Sequence, residues 1–191
     1  MISLRVACLS AVLVASVAFA QTHDHKAAES ATVSVALQSF TDLKALAGTW
    51  QGHVTMNPPF KDASSADVRI TMRVTSRGNA LVHEIAEAGA PDDPTKYDHP
   101  VTMFYVDSDR LYLTHYCDAG NRPRMVARSS NPSSTVEFDF VDLTGGTKYG
   151  HMDHAVFTFV DPDHHIEEWT YMMPGDKPMH ARMELQRVKE R

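Results

Sequence analysis

From Thr49 almost to the C-terminus the chain alternates apolar and polar residues with a period of two, and this rhythm constrains the fold most. Val68, Ile70, Met72 and Val74 share one face of such a segment, while Arg69, Thr71, Arg73 and Thr75 share the other. Comparable runs occupy 49–56, 80–87, 101–107, 110–116, 123–129, 135–141, 155–160, 165–172 and 179–188. The turn-forming pieces SRGN, DSD, DAGNRP, SNPSS, TGG, DPDHH and PGDKP separate them. Connections this short join antiparallel neighbours. One segment breaks the rhythm: across 36–47, Leu37, Phe40, Leu43 and Leu46 recur at helical spacing, and Gly48 supplies a stop. An antiparallel sheet of about ten strands must deal with its edges, usually by closing. The sequence therefore predicts an all-β fold, a single antiparallel barrel of about ten strands preceded by one short helix, over residues 36–191. A jelly roll or open sandwich is the alternative.

The first twenty residues follow a different logic. Arg5 precedes an apolar run from Val6 to Phe19, and Ala18 and Ala20 form a small-x-small pair. That run is too short to span a bilayer as a stable helix. Residues 1–20 read as a cleavable export signal, 21–35 as a flexible polar leader, and the mature protein as periplasmic or secreted. Of the two cysteines in the 191 residues, Cys8 leaves with the signal and Cys117 remains as a lone thiol. The formal net charge of −6 comes without any Lys/Arg cluster, which argues against nucleic acid or anionic lipid as a partner. No later segment invites membrane insertion. Export also argues against a nucleotide-dependent role.

The junction Leu43-Lys-Ala-Leu-Ala-Gly48-Thr49-Trp50 resembles the entry to calycin-type barrels, the lipocalins and their relatives. There a short helix runs into Gly-x-Trp at the first strand, and the Trp closes one end. The stretch from Pro100 to Met125 is similar to one in uncharacterised secreted bacterial proteins of calycin-like fold, through Leu-Thr-His115-Tyr116-Cys117 and Gly120-Asn121-Arg-Pro-Arg124-Met125. This implies a fold more than an activity. Gly48-Thr-Trp50-Gln-Gly52 also resembles nitrobindin-like haem barrels, whose iron ligand is a histidine in the last strand; His180 sits comparably. The resemblance implies haem as a cofactor. His180 nevertheless alternates with Arg182, Glu184 and Gln186, which read as the solvent face.

Small barrels hold one ligand in a lumen lined by alternate strand residues, and ten methionines and eight phenylalanines offer an adaptable apolar lining. The expected function is binding of a small apolar or amphipathic ligand. Candidate ligand-binding residues are Trp50, Glu84 and the hairpin set His115, Tyr116, Cys117, Asn121 and Arg124. An enzyme built on that hairpin is a further alternative, but His115 and Cys117 would stand roughly 6–7 Å apart along one strand face, too far to couple directly. Glu84 must be solvent-facing or paired. His151, Asp153 and His154 are separated from Asp161, Asp163, His164 and His165 by a strand of about 20 Å, so they form no common metal site. Cleavage after Ala20 would expose Gln21-Thr22-His23, a free amine and histidine at the spacing that wraps Cu(II). GxSxG, GxGxxG and GxxxxGK[ST] are absent.

Overall fold

The computed structural model describes residues 34–60, 63–128 and 134–189. The expected export signal, the leader before Ser34 and the possible copper ligand His23 lie outside these residues. One α-helix, α1 (Val35–Ala45), precedes ten strands: β1 (Gly48–Phe60), β2 (Ala63–Thr75), β3 (Ala80–Glu87), β4 (Val101–Asp107), β5 (Arg110–Tyr116), β6 (Arg122–Ala127), β7 (Thr135–Thr144), β8 (His151–Asp161), β9 (His164–Met173) and β10 (Lys177–Arg187). Each strand pairs antiparallel with its neighbour in sequence, and β10 returns to β1 to close the barrel. The closing register runs from Trp50 opposite Arg187 to Asn57 opposite His180.

Closure depends on a glycine. A Cβ on Gly52 would collide with the backbone carbonyl oxygen of Glu184 on β10, so the seam admits no side chain there. Several strand bounds shift. β8 begins at His151 instead of 155, because a bulge between Met152 and His154 breaks the period-two pattern that marks a strand in sequence. β1 and β2 both extend towards their shared turn, past an irregularity between Thr55 and Phe60.

The helix seals one end. Ser34 caps it by accepting the Leu37 amide at 3.3 Å, and Phe40, Leu43 and Leu46 bury into the barrel core, while α1 packs on β4 and β5. Leu37, part of the expected apolar stripe, is exposed. Trp50 is fully buried at this end, donating its indole N–H to the Leu46 carbonyl at 2.8 Å. Arg187 covers the Trp50 ring at 4.1 Å and donates to the carbonyls of Ala45 and Ala47, satisfying free acceptors at the helix end. Phe104, Phe138, Phe157, Leu81, Leu111 and Leu113 pack the interior solid above it.

The β1–β2, β3–β4, β5–β6, β7–β8 and β9–β10 connections gather at the opposite end. Inward-facing Met56, Ala66, Ile85, Met152 and Ala181 pack on the core there but stay partly accessible. Inward-facing Val106, Ala127 and Phe159 are likewise partly accessible at the helix end.

Candidate functional site

Between the helix end and the opposite end of the barrel lies a layer of buried polar side chains. On β3, Leu81, His83 and Ile85 face inward; on β9, His165, Glu167 and Trp169 do. His83, Thr102 and His115 stand opposite one another across β3, β4 and β5. His83, Thr102, His165 and Glu167 are all inaccessible to solvent, and His115 is nearly so.

Glu167 organises the layer. His83 Nε2 lies 3.1 Å from both of its oxygens, His165 Nε2 lies 3.0 Å from Oε1, and the Trp169 indole N–H donates to Oε2 at 3.0 Å. Burial alone would raise the Glu167 pKa. The His83 charge and the His165 and His83 hydrogen bonds outweigh it, holding the carboxyl below its ordinary range. An ionised carboxylate only accepts, so both imidazoles must donate from Nε2. The other ring nitrogen of each is then an acceptor on a neutral imidazole and an N–H donor on a protonated one. Nδ1 of His83 and Nδ1 of His165 are both buried and have no partner. His115 shares a 2.9 Å hydrogen bond with Thr102 through Nδ1, and burial, with the His83 charge, pushes its pKa down to about 3.

Aromatic rings wall this layer. His165 meets Trp50 edge-on at 4.2 Å between centroids, while His83 lies about 6 Å from the rings of Phe104, Phe157 and Trp169. The arrangement offers two unpartnered imidazole nitrogens in apolar surroundings, the chemistry that fixes one polar group of an otherwise apolar molecule.

Comparison with known proteins adds the fold. No family model matches the chain, and no curated relative does. Among solved structures, Rv2717c from M. tuberculosis superposes with a TM-score of 0.55 at 12% identity, covering 83% of this chain and 100% of that one. A protein of unknown function from the DUF3598 family of Nostoc punctiforme aligns over 76% of this chain and 48% of its own, with TM-score 0.41 and 8% identity. The likeness to Rv2717c shows a shared barrel.

The residues singled out from sequence divide between the two faces. Of the hairpin set, His115 enters the polar layer, and Cys117 is half-buried beyond it. Tyr116 is exposed, and Arg124 lies outside, where it pairs with Asp142 at 2.6 Å. Asn121 is buried and structural, donating to the carbonyls of Gly146 and Gly150 at 2.9 and 2.6 Å. The hairpin therefore assembles no single constellation. Burial pushes the Cys117 thiol up, away from the thiolate a nucleophile requires. Glu84 faces outward and meets His99 at 3.1 Å. Trp50 belongs to the sealed end.

His180 is also on the outer face, sharing a hydrogen bond with Thr170 Oγ1 at 3.1 Å, while its neighbours Met179 and Ala181 take the inward positions. A haem in the lumen cannot take His180 as its iron ligand without reversing the register of β10, so these residues do not fit that cofactor. On the outer face too, Glu137, Asp139 and His154 converge within 4.8 Å. Arg128 already binds both carboxylates, at 2.6 Å each.

Sequence reasoning stopped one residue short at His83, taking its neighbour Glu84. The available signal was the face Leu81-His83-Ile85, a histidine between two apolar residues. On β9 both faces carry polar residues, so alternation alone could not place Glu167 inside.

Proposed function

We propose that the protein is a calycin-like barrel that binds one small amphipathic molecule in its lumen, with the polar end of the ligand hydrogen-bonded to Nδ1 of His83 or His165. The observation that carries this reading is the pair of buried, unpartnered ring nitrogens beside a carboxylate that takes its hydrogen bonds from the same two histidines and Trp169. An unmade hydrogen bond in such a place costs about 1–3 kcal/mol, which a polar group of the ligand recovers. The partly accessible Met56, Ile85 and Met152 supply an adaptable apolar approach. The export pattern of residues 1–20 supports a periplasmic or secreted site of action, and N-terminal sequencing of the mature protein should begin at Gln21.

Phenol and toluene, nearly equal in size, test the recognition. Calorimetric titration should show phenol binding about ten- to a hundredfold tighter, since only phenol carries a hydroxyl to hydrogen-bond with Nδ1. The preference should shrink in His83→Phe. Equal affinities, or no binding of either, would overturn the reading.

A further inference from the structure

A second hollow lies on the outside of the barrel. The connection between β3 and β4 turns back over the sheet and encloses about 380 Å³ with β1, β2 and β3. Thr49, Thr71 and Glu84 form one row of its floor in strand register, and Arg69 stands beside Thr71 on the same face of β2. Asp92 and His99 supply the wall.

The charges in this hollow are held apart. Arg69 is a diagonal neighbour of Glu84, the place where a cross-strand ion pair would form, yet they make none. Glu84 pairs instead with His99, whose side chain is 4% exposed. The Arg69 guanidinium and the Asp92 carboxylate have no partner among the described residues. Because the Glu84 carboxylate accepts, His99 must donate from Nδ1, and on the neutral ring its Nε2 is then an acceptor, left buried and without a partner. One side thus presents a cation with two threonine hydroxyls; the other presents two carboxylates and an imidazole acceptor.

We propose that this hollow binds a small zwitterion carrying a carboxylate and an ammonium a few ångströms apart, as a free α-amino acid does. Arg69, Thr49 and Thr71 receive the carboxylate; Glu84, Asp92 and His99 Nε2 receive the ammonium. A simple anion would gain Arg69 but face two carboxylates, and a simple cation would meet the reverse penalty. The site is independent of the lumen.

The test follows the His99 imidazole resonances by NMR during titration with each of the twenty proteinogenic L-amino acids at millimolar concentration. Acetate and methylammonium serve as half-ligands. At least one amino acid should give a saturable shift, at least tenfold tighter than either half-ligand. Arg69→Gln and Glu84→Gln, on the outer face, should each abolish saturation while leaving the unfolding midpoint nearly unchanged. The proposal is overturned if no amino acid saturates, if a half-ligand binds as well, or if both variants retain binding.

Discussion

His83 Nε2 lies 3.1 Å from both carboxylate oxygens of Glu167, tying β3 to β9 across the lumen between residues 84 positions apart in sequence. The link puts an ionised carboxylate in the interior and fixes which imidazole nitrogen is left over. Stability and recognition therefore depend on the same atoms.

Removing one member of this layer strands the others. His83→Leu should cost about 3–5 kcal/mol, because Glu167 stays buried with one donor fewer. Denaturant unfolding measures the loss. Replacing both residues, in His83→Leu with Glu167→Leu, should cost less than the sum of the single changes; strict additivity would show that they do not act as a unit.

Acid should unfold the protein from the inside. His115 has its pKa lowered from 6.5 to about 3, so between those values the unfolded chain binds a proton that the folded one refuses. Its contribution is complete above 6.5 and is lost as pH falls through that window. Glu167, also depressed, adds a second loss below 4.5, where the unfolded carboxylate begins to protonate. Each group steepens the fall by at most about 1.4 kcal/mol per pH unit. Equilibrium unfolding across pH should show two limbs, and His115→Phe should flatten the upper one.

Much of this architecture was legible in the sequence. Period two and short turns gave ten strands, and the spacing of Phe40, Leu43 and Leu46 gave the helix with its buried face. The candidate site was not legible, for identifiable reasons. Alternation separates two faces of a strand without naming the inner one, and in β9 His165, Glu167 and Trp169 look as polar as the outer residues. The bulge at Met152–His154 hides where β8 begins. The outer hollow depends on the β3–β4 connection turning back, which no local pattern announces.

The seam between β1 and β10 should be intolerant of any side chain at one position. Gly52→Ala forces its new methyl against the Glu184 carbonyl, costing about 1–3 kcal/mol of overpacking. A wild-type unfolding midpoint in that variant would mean the strands are not packed as described.

The sealed end should depend on Arg187. Arg187→Met keeps bulk over the Trp50 ring but leaves the carbonyls of Ala45 and Ala47 without their donor, a loss of about 1–3 kcal/mol. Hydrogen exchange should report it first in α1, before the strands.

Native mass spectrometry of the protein taken from its own host tests the central claim most directly. The wild type should carry a single small-molecule mass above that of the polypeptide, and His83→Phe, purified identically, should have lost most of it. A bare polypeptide in both, or an adduct held undiminished by the variant, would contradict a lumen ligand anchored on this layer.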